Sequence, residues 1–321
     1  MADRSLVDIA LRNPQKHPAV VAWNRMTGAS ALPSRITRLN EGHSMVYRLA
    51  GIAPDGGSVI AKLCAREDGD RSRVICTSVL PLLQKPALLF YGCLETGRRR
   101  SWLFLEDGGP LKCSLENADH KRALSAWLAA LHASTAAHAK GFALPVTGFD
   151  MYLKQLRSGR RKILKGLGLL EFEPEDEATL RSIAEWYGRI ESLWPKLRAM
   201  VGDAPHTVVH GDFAPKNVLV REVLGHAEVF PIDWETAGWG TPAEDLGEYP
   251  DLAIYNLQAR EHGATWSLDA VRRWAAVGKI LRHVAAFDWA SATLVGGWPP
   301  RGVRRMRVRL GDALQAAALE Y

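Results

Sequence analysis

The pattern of apolar and polar positions changes character near residue 106. Between Arg35 and Leu105 the apolar residues come in short runs, Arg35–Leu39, Met45–Leu49, Val59–Leu63, Ala87–Tyr91 and Ser101–Leu105. Gly, Pro and Asp residues separate them, as in turns between strands. A meandering antiparallel sheet is predicted, interrupted after its third strand by a helix over Arg71–Leu83, where the spacing suits the helical period. Beyond Glu106 the period lengthens. A helix capped at Asn117 or Asp119 is predicted to reach about Ala139, with further helices near Tyr152–Leu164, Glu175–Met200, Ala243–Arg260, Leu268–Leu294 and Val303–Leu319. Strands return at Thr207–Val209, Val218–Val220 and Val229–Ile232. The reading is an α+β chain: a small β-rich N-terminal lobe over residues 1–106 and a larger, mostly helical C-terminal lobe over residues 107–321. Phe104–Gly109 is the connector, and a ligand is expected in the cleft between the lobes.

A length of 321 residues with 47% hydrophobic content is enough for a sizeable core. Met1–Ala10 has no basic-then-apolar leader pattern, and the apolar stretch Ala123–Ala139 is broken by His132 and His138, so a cytoplasmic protein without a membrane span is expected. The four cysteines, Cys64, Cys76, Cys93 and Cys113, show no C-x-x-C spacing, which argues against a zinc site or a disulfide framework. The net charge of +6 suits either nucleic acid or an enzyme that handles phosphates. No aromatic-rich module accompanies the basic clusters at Arg98–Arg100, Arg157–Lys165 and Arg301–Arg309, so no nucleic-acid partner is expected.

The chemistry concentrates in Val208-Val209-His210-Gly211-Asp212-Phe213-Ala214-Pro215-Lys216-Asn217-Val218-Leu219-Val220, a polar loop held between two apolar strands. Phosphoryl transfer needs a carboxylate to orient the attacking hydroxyl and oxygen ligands for the metal that neutralises the phosphates. Asp212 and Asn217 supply both. The next apolar strand ends in Ile232-Asp233-Trp234-Glu235, where Asp233 is placed to be a second metal ligand. Singly, each of these residues reads as a turn former or strand-end cap; together, in this order and spacing, they point to catalysis.

His-Gly-Asp, four residues, Asn, then Ile-Asp-Trp-Glu resembles the aminoglycoside phosphotransferase and choline kinase-like family, and more remotely the protein kinases. The resemblance implies a bilobal protein-kinase-like fold, ATP or GTP as phosphate donor, and Mg2+. It implies Asp212 as catalytic base or orienting carboxylate, and Asn217 and Asp233 as magnesium ligands. His210 would hold the loop. Thr241-Pro242-Ala243-Glu244-Asp245-Leu246-Gly247 is similar to a family segment that places Asp245 in a structural role near the loop, with Thr241 where the family usually has an acid. His132 would brace the loop from the end of its helix.

In the N-terminal part, Gly42 and Ser44 lie in a strand–turn–strand where the backbone can approach phosphates. Lys62 interrupts an apolar strand, and a buried amine there needs an anion; the resemblance assigns it to the α- and β-phosphates. Phe104–Glu106 would bond the adenine through backbone groups. The sequence departs from the family at one point: no Asp or Glu occurs between Arg71 and Leu94 to pair with Lys62 from the following helix. Glu67 and Asp68 are the nearby substitutes.

The acceptor is expected to be a hydroxyl-bearing small molecule. The acidic stretch containing Glu171, Glu173 and Asp176 suggests a cationic antibiotic such as an aminoglycoside, although acids after Pro174 also suit a helix start. The alternatives are a metabolite kinase of the choline, sugar or homoserine type, and a kinase-fold protein that holds nucleotide without transfer.

Overall fold

The structure, a computed structural model, describes residues 7–8, 13–40, 45–138, 141–295 and 299–318. Packing divides the chain into two compact units. One combines Met1–Trp127, Phe142–Leu144 and Asp212–Ala237; the other combines Leu128–Gly141, Pro145–Gly211 and Gly238–Tyr321. The boundary expected after residue 106 follows chain continuity, whereas packing draws Asp212–Ala237 in with the N-terminal sheet.

The first unit is built on an antiparallel sheet of six strands: β1 (Val7–Asp8), β2 (Arg35–Arg38), β3 (Met45–Ala50), β4 (Val59–Ala65), β5 (Phe90–Thr96) and β6 (Arg100–Glu106), in the order β1-β2-β3-β4-β6-β5. Side chains alternate between its faces. Ala61, Leu63, Trp102 and Phe104 point to one side, where helix α1 (Pro18–Thr27) buries Ala19, Val20, Ala22 and Trp23 against them. Trp23 meets Phe104 edge-on, with ring centroids 5.4 Å apart. Ile60, Lys62, Leu103 and Leu105 take the opposite face and line a cavity.

Helix α1 was not expected: it is a short helix whose first-turn cap is His17, the Nδ1 of which accepts the Ala19 amide at 3.3 Å. The strand expected over Ala87–Tyr91 is displaced to Phe90–Thr96, with a register shift between Phe90 and Gly92. Pro86 has no amide for a ladder, and the edge position of β5 tolerates the polar Glu95 and Thr96. The helix expected over Arg71–Leu83 starts directly after β4, as α2 (Arg66–Val74), and continues through a π turn (Ile75–Val79) and a 3-10 turn (Leu80–Leu83). Glu67 and Asp68 in its first turn favour that start. α2 lies close on β6: a Cβ added at Gly69 would come within 2.9 Å of the Ser101 side chain. β8 (Val218–Val223) and β9 (His226–Pro231) form a hairpin whose turn residues, Leu224 and Gly225, both take positive φ, the combination that matches strand twist.

In the second unit α4 (Phe149–Leu169), α5 (Pro174–Met200), α7 (Leu268–Val295) and α8 (Pro299–Ala318) pack together. The buried face of α7, with Trp274, Ile280, Leu281, Val284 and Phe287, is its core. The Tyr187 hydroxyl donates to the Val284 carbonyl at 3.1 Å, and Trp186 Nε1 to the Ala313 carbonyl at 2.9 Å. The helix expected over Ala243–Arg260 is confined to α6 (Leu252–Glu261). Before it, Gly247 lies so close to α7 that an added Cβ would meet the Gly278 carbonyl carbon at 2.8 Å, and Pro250 blocks a helical path until Asp251 caps α6. β7 (Thr207–Val209) pairs antiparallel with β10 (Gly238–Gly240), and α3 (Ala118–Ala136) runs from one unit into the other. Among the described residues no helix is long and apolar enough to cross a membrane.

Candidate active site

The polar loop leaves β7 under tight control. The carboxylate of Asp245, fully buried, accepts the amides of His210 at 2.7 Å and Gly211 at 2.8 Å. His132 Nε2 lies 3.3 Å from the same carboxylate, and its Nδ1 is 2.9 Å from the Tyr255 hydroxyl. Burial works against the charge on Asp245, but the interactions with His132, followed by those with His210 and its amide, outweigh it and hold the carboxyl below its ordinary range. His132 and Asp245 thus hold the start of the loop at His210 and Gly211. Gly211 adopts φ of +76°, a conformation costly for residues with a Cβ, and Asp212 is the next residue in the chain.

Within the first unit Asp212 and Asn217 are brought together. The Asn217 amino group donates to the Asp212 carbonyl and to Asp212 Oδ2, both at 2.9 Å. With that end of the amide committed, its carbonyl oxygen is the end left for a cation. Lys216 Nζ lies 2.7 Å from Asp212 Oδ2, a contact sequence reasoning missed because a lone loop lysine carries no signal. The backbone then links the loop to the strand end, since the Ile232 amide donates to the Asn217 carbonyl at 2.8 Å. The residue after Ile232 is Asp233, which takes φ of +72° and leads into a 3-10 turn, Trp234–Thr236. A non-glycine residue held there is uncommon and clusters at functional sites.

Lys62 on β4 meets this turn. Its ammonium pairs with Asp233 and lies 2.6 Å from Glu235 Oε1. Burial disfavours the charged amine, but the carboxylates of Asp233 and Glu235 more than offset it, so the Lys62 pKa is raised. The partner that the helix lacks is therefore supplied from the turn after β9. Neither Glu67 nor Asp68 fills that place: Asp68 pairs with Arg71 at 3.3 Å, and Arg71 also donates to the Glu235 backbone carbonyl.

Lys62 and Asp233 line a cavity of about 650 Å³, a size suited to a small ligand. Its walls are largely apolar, with Val46, Ile60, Leu103, Leu105, Leu219 and Ile232, and its polar groups include Arg48, Glu106, Asp107 and Lys112. Asp107 is paired with Arg48, and Glu106 with Arg221 at 2.6 Å. Of the expected base contacts, Glu106 lines the cavity but its amide already donates to the Leu89 carbonyl at 2.8 Å. Phe104 faces the α1 core, with its backbone between β4 and β5 in the ladder. Gly42 and Ser44 lie outside the described residues.

In the second unit Glu173 occupies the N-cap position of α5 without a side-chain capping bond, Glu175 pairs with Arg307 of α8 at 2.8 Å, and Asp176 pairs with the same guanidinium. The ordinary reading of a helix start accounts for Asp176; Glu171 and Glu173 are exposed.

Among the described residues no cluster of three or more His, Cys, Asp or Glu is arranged to hold a metal ion. Asp233 and Asn217 are instead a sparse, hard-oxygen set, of the kind that suits magnesium shared with phosphates and water.

The model of the phosphotransferase enzyme family matches residues 77–275. No curated protein matches the chain. Among solved structures, an aminoglycoside 2'-phosphotransferase in complex with GDP is similar, with TM-score 0.65 and 13% identity over 93% of this chain and 98% of that one. A spectinomycin phosphotransferase in complex with ADP and spectinomycin has TM-score 0.59 and 11% identity, covering 89% of this chain and 93% of that one. An ethanolamine kinase of Plasmodium vivax has TM-score 0.55 and 10% identity, covering 87% and 81%. At such identities the likeness is one of fold: the α+β, protein-kinase-like fold expected from the sequence.

Proposed function

The chain belongs to the phosphotransferase enzyme family, and from that premise we propose that it transfers the γ-phosphate of a nucleoside triphosphate to a hydroxyl group of a small molecule. The observation that carries this reading is the pairing of Asp212 with Asn217 on a loop whose backbone is bonded to the strand end bearing Asp233, with Lys62 gripped beside it in the cavity. Asp212 orients the acceptor hydroxyl and takes its proton as the oxygen attacks. Asp233 and the Asn217 side-chain Oδ1 would hold Mg2+, which supplies neutralisation of phosphate charge when bound. Lys62 supplies a fixed positive charge to the nucleotide phosphates from the cavity wall. The apolar walls suit a base, with Glu106 and its neighbours at the edge.

As the acceptor we propose a hydroxyl-bearing cation such as an antibiotic, supported by the exposed Glu171 and Glu173; Asp176, held by Arg307, is a weaker contact. The alternative of holding nucleotide without transfer rests on the missing helix acid, and the Lys62–Glu235 pair counts against it. The test is a panel of aminoglycosides, macrolides, choline, ethanolamine, sugars and homoserine incubated with ATP or GTP and magnesium, with product read by mass. A gain of one phosphoryl group on an acceptor is expected. No gain on any of them, with no acceptor-stimulated nucleotide hydrolysis, would defeat the reading.

A further inference from the structure

A largely buried ammonium must keep a counter-charge, because desolvating it alone costs several kcal/mol. Lys62 has two carboxylates within reach, and they are not equivalent. Asp233 lines the cavity and is the candidate cation ligand; Glu235 is not part of the lining. A carboxylate drawn to a cation is a poorer partner for a lysine, so Asp233 cannot fix Lys62 alone in a loaded site.

Glu235 sits on a turn that is pinned from two sides. Arg71 of α2 donates to its backbone carbonyl and to Asp68, which ties the turn to the helix. Trp234, buried next to it, packs on Trp127 with ring centroids 6.0 Å apart. No acid between Arg71 and Leu94 competes for the lysine. We infer that Glu235 is the positioning residue for Lys62, keeping its ammonium aimed at the phosphates of a nucleotide when Asp233 is otherwise engaged. The lysine's aim is then set by the same turn that presents Asp233, two residues away, so phosphate cation and metal ligand are registered on one rigid element. The helix contributes Arg71, which holds the turn and does not touch the lysine's charge.

This rests on the nucleotide-binding part of the proposed function, and calorimetry separates the two. The full chain is titrated with a non-hydrolysable ATP or GTP analogue and magnesium. Glu235→Gln should raise the dissociation constant about tenfold, the scale of one charge-assisted hydrogen bond. Lys62→Met should weaken binding as well. In the Lys62→Met background Glu235→Gln should add less than about twofold, because its effect runs through the lysine. A merely structural role would give additive losses and would overturn the inference, as would unchanged affinity in Glu235→Gln. Should Glu235→Gln fail to fold, Glu235→Asp keeps the charge but withdraws it by one methylene, and about a threefold loss that vanishes without Lys62 is expected. Equal affinity there would overturn the inference too. No binding by the unaltered chain would overturn the nucleotide reading and this inference with it.

Discussion

Replacing Glu244 by glutamine should remove a pH dependence of stability that this one buried acid imposes. Glu244 closes the 3-10 turn Pro242–Glu244 directly before Asp245, and its Oε1 accepts the Thr241 amide at 2.9 Å. Burial drives its pKa from 4.5 up to about 7, against the opposing hydrogen bond of the Thr241 amide. The folded state therefore holds a proton that the unfolded chain has released between these values. The stabilisation is fully present below the unfolded pKa and is lost as pH rises through about 7. Between about pH 5 and pH 8 the loss amounts to about 2.5 kcal/mol, from about 1.36 kcal/mol per pKa unit. Glutamine keeps the oxygen that accepts from Thr241 and cannot ionise. His283, depressed to about 4 mainly by burial, titrates in the same range with opposite sign, so the quantity to follow is the difference between the two proteins. Urea unfolding at several pH values should show Glu244→Gln gaining on the parent by about 2.5 kcal/mol across that range. A difference independent of pH would mean that Glu244 is ionised in the folded state, and would refute the reasoning.

In the polar loop, Asp212→Asn should lower turnover by about two orders of magnitude or more while calorimetric nucleotide affinity is retained; near-normal turnover would remove Asp212 from the proposed mechanism. Asp233→Ala should abolish the magnesium dependence of nucleotide binding, and unchanged dependence in the same titration would count against its metal role. For the acceptor, Glu171→Gln with Glu173→Gln should raise the Michaelis constant of a cationic acceptor and leave that of the nucleotide in place. Adding Asp176→Asn strips Arg307 of a partner, so the double substitution is the cleaner probe; equal kinetics would place the acidic stretch outside the site.

Much of the fold was legible because alternation and helical period survive in the chain: β2, β3, β4, β6 and the long helices α3, α4, α5, α7 and α8 lie where apolar spacing puts them. At α1 and α6 tertiary contact decided the element. α1 is held by burial of Trp23 under the sheet, and α6 starts late because Gly247 must touch α7. Neither contact leaves a periodic trace. Phe104, assigned to the base through its backbone, shows what side-chain alternation leaves open. Its neighbours Leu103 and Leu105 line the cavity, but strand alternation turns Phe104 itself into the opposite core.

Among the site residues, legibility follows distance along the chain. Asp212 and Asn217 are near neighbours in sequence, so one loop motif is enough to pair them, and the structure adds only the bonds that fix their amide and carboxylate. The grip on Lys62 joins residues on β4 to a turn far beyond it in the chain, and no local pattern encodes such a pairing. Searching the next helix for an acid assumes that the partner is sequentially close. The physical requirement is weaker: any carboxylate held rigidly within reach satisfies a buried ammonium. Glu235 meets it because Arg71 fastens its turn to α2, so the helix that lacks the acid still places it. On the proposed function the acidic turn has two duties, which a single substitution at Asp233 mixes and one at Glu235 separates. Loss of metal dependence should track the first residue, and loss of lysine-dependent affinity the second.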